Sequence, residues 1–373
     1  MDTTQIYGLL NDVTQQALGG TNITVVDGRS LVSLGTMVLS SSANTEAFLN
    51  TLVQRIGRTI IAYREYRNKL GDMVMDDFEY GAIVQKISVM MPQAEEDPSW
   101  TLTDGQTIDH YKINKPEAKQ KFFYTRTPYM FKVTIQDEHL KEAFTDSSKM
   151  AGFIAAIFGE TRNAIEFGLE QLGRTCLSNF IAETPHVINL VSAFNTELGL
   201  TGADALNATT CKHSDLFLNY MIGRINHHAK MIGELSVRYN DGSKPRFTPA
   251  DKRVIRILSD MDTRAQTVTQ YAAYHDRFVS IGGKWDTISY WQNFKEGNED
   301  KVQIKRASDG TNKTINNVAA VVYDRDALGI YKKDERVATT PINAAGLYYN
   351  TFYHERQLWF NDLQENFVVF TLN

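Results

Sequence analysis

An Asp-x-Asp pair behind an apolar run is the arrangement in this sequence that could do chemistry. The run VIRIL (254–258) reads as a strand, and Asp260 and Asp262 come just after it. Two such carboxylates can act as nucleophile and general acid/base in phosphate transfer. Enzymes of that kind place Gly-Thr after the second Asp, whereas Thr263-Arg264 stands here. The simpler interpretation is that Asp260 or Asp262 caps a helix beginning near Thr263.

Four residues could in principle ligate a metal: Cys211, His213, His227 and His228. Zinc sites need ligands that converge on one centre. Adjacent histidines on a helix point about 100° apart, so His227 and His228 do not share an ion easily. We therefore expect surface residues here, with no metal and no cofactor.

Signatures of common enzyme sites are missing from the sequence. It contains no Gly-x4-Gly-Lys-Ser/Thr, His-Glu-x-x-His or Gly-x-Ser-x-Gly motif, and GGKW (282–285) has the wrong spacing for a phosphate loop. The run YREYR (63–67) could stack on nucleic acid, but an exposed strand edge is the simpler interpretation. We predict that the protein is not an enzyme.

Composition indicates an ordinary folded protein. The chain has 373 residues, of which 42% are apolar and 22% charged, and its net charge of −5 argues against a DNA-coating role. Two cysteines, Cys176 and Cys211, indicate no disulfide framework and favour a reducing compartment. The N-terminus lacks the pattern of a signal peptide, and no apolar run is long enough to cross a membrane.

A long polar stretch (92–128) separates two strand-like runs at 81–91 and 129–136. Its charges are sorted, since acidic residues occupy the first limb and basic residues the second, with Glu117 as the exception. Structureless loops of this length are uncommon in compact domains, so we predict a long hairpin closed near Asp104-Gly105. A solvated loop is the alternative. The charged residues are Glu95, Glu96, Asp97, Asp104, Asp109, Lys112, Lys115, Lys119, Lys121 and Arg126.

The segment 150–181 has the apolar spacing of one long helix with a single buried stripe. Asp146, Ser147 or Ser148 could cap it. A helix of this length needs an elongated body, and the aromatic segment 348–370 is its expected partner, with FVVF (367–370) as a central strand. The opposite stripe is polar and carries Glu160, Arg162, Asn163, Glu166, Glu170 and Arg174.

Periodicity and turn residues predict the remaining elements. We expect helices at 3–18, 44–56, 215–232 and 263–274, strands at 59–63, 253–258 and 318–323, and loop-rich or polar stretches at 186–212, 238–252 and 295–317.

The order of these elements resembles the major capsid protein of tailed double-stranded-DNA bacteriophages, which has the Johnson or HK-97-like fold. Three runs resemble the capsid proteins of small, short-tailed (podovirus-like) phages: KVTIQDEHLKEAF (132–144), VIRILSDMDTRAQ (254–266) and GLYYNTFYHERQLWF (346–360). The resemblance implies an α+β fold. Its implied regions are an N-terminal arm (1–43), a first P-domain segment (44–67), an extended hairpin or E-loop (68–128), the P-domain with spine helix and long sheet (129–185), an A-domain (186–340) and P-domain return strands (341–373).

The resemblance also implies a function. The chain would self-assemble into hexamers and pentamers of an icosahedral or prolate head around double-stranded DNA, with the ten charged residues of the hairpin as inter-subunit contacts. Only residues 1–43 precede the first core helix, so a scaffolding protein would be separate; a portal is the other implied partner, and assembly would occur in the host cytoplasm, away from membranes. Two alternatives stay open: an encapsulin-like compartment and a phosphotransferase that uses Asp260 and Asp262.

Overall fold

The structure is a computed structural model that describes residues 3–19, 23–59, 66–75, 83–90, 104–105, 111, 113, 115, 118–124, 126–272, 284–306 and 308–373. The helices are α1 (Thr3–Leu18), α2 (Gly28–Val38), α3 (Ser42–Thr59), α4 (Asp137–Ala143), α5 (Ser147–Ile154), α6 (Glu160–Glu183), α7 (Leu190–Glu197), α8 (Asp215–Met231) and α9 (Ser259–Ala272). The strands are β1 (Val74–Met75), β2 (Val84–Val89), β3 (Ala118–Phe123), β4 (Arg126–Gln136), β5 (Val187–Asn189), β6 (Arg253–Leu258), β7 (Lys284–Ile288), β8 (Val302–Lys305), β9 (Asn312–Ile315), β10 (Val318–Asp324), β11 (Leu328–Thr339), β12 (Tyr348–Asn361) and β13 (Phe367–Thr371). Within these ranges, every helix is too short or too polar to cross a membrane.

The spine is a continuous helical run made of α5, a π-helical segment at Ala155–Gly159 and α6. Asp146 caps its start by accepting a hydrogen bond from the Ser148 backbone amide at 3.1 Å, as predicted. The unpredicted π-helical segment adds a residue to one turn and so rotates the buried stripe. As a result α5 packs into one apolar cluster and α6 into another. The buried stripe itself is confirmed at Met150, Ile154, Leu169, Leu172, Cys176, Phe180 and Ile181.

The long sheet has four strands in the order β1-β11-β12-β4. β12 pairs antiparallel with β11 and with β4, and β1 adds to the edge parallel to β11. The predicted strands at the aromatic C-terminal segment and at 129–136 are confirmed. β11 was not predicted, because charged residues at 332–336 and a register shift between Lys332 and Asp334 hide its period-two pattern.

The second sheet has the order β5-β13-β10-β6-β7 and contains the predicted central strand. β13 lies between β10, its antiparallel neighbour, and β5, its parallel neighbour. Phe367 of β13 stacks on Phe180 of the spine with ring centroids 4.1 Å apart. The Asn361 amide donates to the Cys176 carbonyl at 3.0 Å, so the expected packing of the C-terminal segment on the spine helix is confirmed.

The N-terminal helices α1, α2 and α3 pack onto the start of the spine. Ile6, Leu34 and Phe48 are buried there with Met150 and Tyr349 in one apolar cluster. The helices predicted at 3–18 and 44–56 are confirmed, whereas α2 was missed. Residues 60–63 of the strand predicted at 59–63 lie outside the described residues, and Thr59 itself ends α3.

Three further predictions need correction. The region 186–212 is not all loop, since it contains β5 and α7, and the side chain of Asn189 caps α7 through the Ser192 amide at 3.0 Å. Helix α9 begins at Ser259, earlier than the predicted Thr263. The polar stretch 295–317 contains the antiparallel pair of β8 and β9. The predicted helix at 215–232 and the strands at 253–258 and 318–323 are confirmed.

Candidate assembly hairpin and the buried clusters beneath it

Two lysines attach the inner face of the β2–β3 hairpin to the body of the molecule. Lys86 and Lys121 face each other across the two strands. Their ammonium groups lie 3.0 and 2.8 Å from the two carboxylate oxygens of Asp362, whose side chain is only 1% exposed. Lys86 also reaches Glu365 at 3.1 Å. The hairpin is therefore held by charge-assisted hydrogen bonds from both of its strands.

The charge balance of this cluster favours ionised carboxylates. Burial acts to raise the pKa of Asp362, but the ammonium groups of Lys86 and Lys121 outweigh it and hold that pKa below its ordinary value. Arg246 adds a third cation by binding Glu365 at 2.9 Å. The cluster thus contains three cations, Lys86, Lys121 and Arg246, bound to the two largely buried carboxylates of Asp362 and Glu365.

Aromatic contacts reinforce the same attachment. The Phe123 ring at the end of β3 lies 5.1 Å from the Phe360 ring of β12, and Phe360 stacks on Tyr331 of β11 at 6.0 Å. The Lys86 ammonium lies over the Phe360 ring at 5.8 Å. The inner face of the hairpin therefore packs directly on the long sheet.

The outer face of the hairpin is exposed and partly apolar. We define it as Gln85, Ile87, Val89, Ala118, Gln120 and Phe122, all of which are exposed. Ile87 is 62% exposed, and Tyr124 beside the face is 72% exposed. Because alternate residues of a strand point to opposite faces, the lysines that hold the inner face leave the apolar side chains of the outer face in solvent. Contiguous exposed apolar side chains mark interaction sites in proteins.

The ten charged residues predicted as subunit contacts are not one group in the structure. Lys121 points inward and pairs with Asp362 of its own chain. Asp104 lies in an exposed turn beside Gly105, whose φ of +87° suits a glycine. Lys115 is exposed, Lys119 is half-buried on β3 and Arg126 begins β4. Glu95, Glu96, Asp97, Asp109 and Lys112 lie outside the described residues.

A buried arginine fixes the segment that precedes the hairpin in the chain. Arg256 of β6 donates to both oxygens of Asp72 at 2.6 and 2.7 Å and to the Tyr323 hydroxyl at 2.8 Å. Asp286 accepts a further bond from it at 3.3 Å. Burial acts to lower the pKa of Arg256, but Tyr323 and Asp72 raise it above its ordinary value. The guanidinium therefore stays charged in the core.

A second buried ion pair corrects the predicted polar stripe of the spine. Glu170 and Arg174 are each only 1% exposed, and their charged groups lie 2.7 Å apart. The Tyr66 hydroxyl donates to Glu170 at 2.6 Å. The Arg174 guanidinium lies 3.7 Å from the centre of the Tyr290 ring and donates to the Tyr290 carbonyl.

Tyr66, in the run YREYR, belongs to the same hydrogen-bond network. It is partly buried and is not part of a strand. Burial, the hydrogen bond to Glu170 and the charge of Glu170 raise the pKa of Tyr66 to about 12. The pKa of Glu170 stays below its ordinary value despite burial, because Tyr66 and Arg174 donate to it. Tyr66 is therefore a structural contact of the spine.

Comparison with known proteins identifies the class of protein to which these features belong. A sequence model of the Phi29-like phage major capsid protein family matches residues 10–371. The chain belongs to this family. The major capsid protein of Bacillus phage GA-1 is 22% identical over 369 residues, which cover 98% of this chain and 69% of the relative. That of Bacillus phage B103 is 22% identical over 379 residues, covering 99% of this chain and 74% of the relative.

Solved structures agree on the fold of this capsid protein. A chain in the capsid structure of Staphylococcus phage Andhra superposes with a TM-score of 0.54 at 10% identity, covering 86% of this chain and 88% of the other. A chain in the structure of the head fibre and inner core protein of native bacteriophage P68 gives 0.55 at 9% identity, covering 85% and 87%. The predicted α+β, HK-97-like capsid fold is confirmed, and the protein is a structural component of the virion.

The Asp-x-Asp pair has no catalytic arrangement in the capsid protein. Asp260 is exposed and binds Arg264 on its own helix at 2.8 Å. Asp262 accepts hydrogen bonds from Gln266 at 2.8 Å and from the Trp285 indole at 3.2 Å. Both lie in the first turn of α9, so neither is the predicted cap residue. Burial raises the pKa of Asp262. The prediction that the chain is not an enzyme is confirmed by its family.

His228 corrects the prediction that the Cys/His set lies on the surface. It is buried and bonds the Tyr239 hydroxyl through Nδ1 at 2.8 Å. Burial, followed by the charge of Arg224, lowers the pKa of His228 to about 4, so the ring is neutral near pH 7. Cys211 is buried too, and burial raises its pKa to about 11. Across the described residues, no group of three or more His, Cys, Asp or Glu could hold a metal.

Proposed function

We propose that this capsid protein assembles into hexamers and pentamers and so builds a closed icosahedral or prolate shell around double-stranded DNA. Shells of this kind repeat the same heterologous contacts between many copies. The observation that carries the proposal is the hairpin, whose inner face is bound to the body while its outer face offers apolar side chains to a neighbour. A separate scaffolding protein and a portal are the proposed partners, and assembly takes place in the host cytoplasm.

We assign the regions of the chain to capsid domains on the same basis. Residues 68–128 are the E-loop, 44–67 and 129–185 form the P-domain, and 186–340 form the A-domain. Two strands are assigned differently from the regions expected from the sequence. We place β11 in the P-domain because it pairs with β12, and β13 in the A-domain because it pairs with β10. Residues 1–43 are the N-terminal arm, and α1 and α2 within it pack on their own chain.

We further propose that the subunit contact of the E-loop is its outer apolar face, flanked by charged residues that set register. Asp104 and Lys115 suit this role because they are exposed. Lys121 acts differently, since it fixes the hairpin to its own subunit. The proposal keeps Glu95, Glu96, Asp97, Asp109, Lys112, Lys119 and Arg126 as charged contact candidates.

Assembly of paired variants tests the proposal. The double variant I87E/F122E removes the apolar pair and adds two charges, whereas Q85E/Q120E adds the same charges to the same face without removing apolar area. Electron microscopy and light scattering should show shells, tubes or rings for the wild-type chain and for Q85E/Q120E. I87E/F122E should stay folded, with stability changed by about 0.5 kcal/mol or less, and should not assemble. I87E/F122E shells like those of the wild type would contradict the proposal.

A further inference from the structure

A buried carboxyl group lies between the long sheet and the spine helix. Glu355 of β12 is only 5% exposed. In the register of the sheet, Glu355 lies directly opposite Glu335 of β11 on one side and Tyr129 of β4 on the other. Directly opposed residues in a sheet share a face, so a second carboxyl group and a phenol flank Glu355 within the sheet.

The charges around Glu355 do not compensate an ionised carboxylate. Glu166 of the spine helix adds a third acidic group to its surroundings. Lys332 is a nearby cation, but its ammonium lies 3.8 Å from Glu335, which is the partner it binds. In the part of the chain that the structure describes, Glu355 itself forms no ion pair. An unpaired buried charge is costly, so the neutral acid is the favoured form.

The neighbouring amide contains a buried acceptor that lacks a donor. The Gln357 side chain donates from Nε2 to Glu355 Oε2 at 2.8 Å. Its Oε1 atom is buried and has no hydrogen-bond donor. Buried acceptors are almost always satisfied. A protonated Glu355 has an O–H donor, which an ionised Glu355 lacks, on the carboxyl group that already contacts this amide.

We propose that Glu355 is a proton-binding site of the capsid subunit, neutral when the spine helix is packed on the sheet, and that release of its proton to solvent loosens this packing. Burial and the charge of Glu335 raise the pKa of Glu355 to about 7, although Lys332 and the hydrogen bond from Gln357 act in the opposite direction. The inference concerns the folded subunit and does not depend on shell assembly.

The sign of the pH effect follows from the shift. The pKa of Glu355 is raised from 4.5 to about 7 in the folded chain, so the folded state holds a proton that the unfolded state releases. The stabilisation is complete below pH 4.5 and is lost as the pH rises through about 7. His228 titrates in the opposite sense, because its pKa is lowered by burial. The informative quantity is therefore the difference between the wild type and a variant that keeps His228.

Glu355→Gln is that variant, since it fixes the group in a neutral form of the same shape. Urea unfolding of the full chain should show the wild type losing stability relative to E355Q between pH 4.5 and 7. The ratio of their unfolding constants should change on the order of a hundredfold over that window. Hydrogen exchange of β12 and α6 amides, corrected for intrinsic rates, should rise above pH 7 in the wild type alone. The control variant E160Q, at an exposed position at the start of α6, should show the same pH dependence as the wild type.

A direct titration covers the case in which E355Q does not fold. Carbon NMR of labelled glutamate carboxyl groups in the wild-type chain should show one resonance titrating near pH 7, and Glu335→Gln should lower its midpoint by removing the like charge. Parallel pH curves for the wild type and E355Q, or a Glu355 resonance that titrates at the ordinary pH of 4.5, would overturn the proposal.

Discussion

Lys121 of the hairpin binds Asp362 at 2.8 Å, although the two residues are 241 positions apart in the chain. This bond and its counterpart from Lys86 decide the orientation of the β2–β3 hairpin. With both lysines turned inward, the residues that alternate with them must point outward. The apolar outer face is therefore a consequence of the ionic attachment on the inner face.

Removing the shared carboxylate should release the hairpin. We expect Asp362→Asn to cost about 2–3 kcal/mol, because Lys121 loses its charged acceptor and Lys86 is left with Glu365. The measurement is the urea midpoint together with hydrogen exchange of the β2 and β3 amides, which should lose protection before the rest of the chain. Asp104→Asn removes an acid from an exposed turn and serves as the control. Unchanged protection in D362N would show that the Asp362 bonds are dispensable and that the Phe123–Phe360 contact and the Lys86–Glu365 pair hold the hairpin.

The Asp362 attachment also has a defined dependence on pH. The pKa of Asp362 is lowered from 3.8 in the folded chain, so its stabilisation is fully present above pH 3.8 and is lost as the pH falls through the lower folded value. In acid titrations, the wild type should therefore lose hairpin protection only below pH 3.8. D362N should show no such step.

The fold should lose more stability when one partner of the buried Glu170–Arg174 pair is replaced than when both are. Arg174→Met leaves Glu170 charged and buried, and we expect it to destabilise the fold by about 3–5 kcal/mol. The double variant E170Q/R174M keeps an acceptor for the Tyr66 hydroxyl without a charge, so it should be more stable than R174M. Denaturant unfolding of both variants measures this. A double variant less stable than R174M would rule out the uncompensated charge as the cause.

Close packing of the N-terminal helices predicts a cost for one added methyl group. A Cβ atom at Gly35 would lie 2.6 Å from the Phe144 Cβ atom, closer than real contacts allow. Gly35→Ala should therefore cost about 1–3 kcal/mol through overpacking. Gly8→Ala in α1 meets nothing within 4 Å and should gain up to about 1 kcal/mol from helix propensity. Thermal unfolding should separate the two variants; equal midpoints would show that Phe144 moves aside freely.

Local signals were sufficient for much of the fold. The Asp146 cap and the apolar spacing predict the spine helix because both depend on neighbours within the same helix. The run FVVF predicts a central strand because a strand covered on both faces is apolar throughout. Helix α2 carried a similar local signal that was overlooked, the capping box of Asp27 and Ser30.

Long-range partners explain most of the errors. Glu170 and Arg174 read as a solvated pair because the sequence of one helix does not contain Tyr66, 104 residues away, or Tyr290, 116 residues away. Lys121 was predicted to be a subunit contact for the same reason, because the sequence around β3 contains no sign that its partner is Asp362. From the sequence alone, a charged residue with a distant partner cannot be distinguished from a charged residue exposed to solvent.

The position of these partners in the chain has a consequence for the timing of folding. Asp362 and Glu365 hold the hairpin, and Phe367–Thr371 is an inner strand of the five-stranded sheet. All of these residues leave the ribosome after everything they organise. A nascent chain that has not yet reached Asp362 and β13 therefore has neither a docked hairpin nor a complete five-stranded sheet.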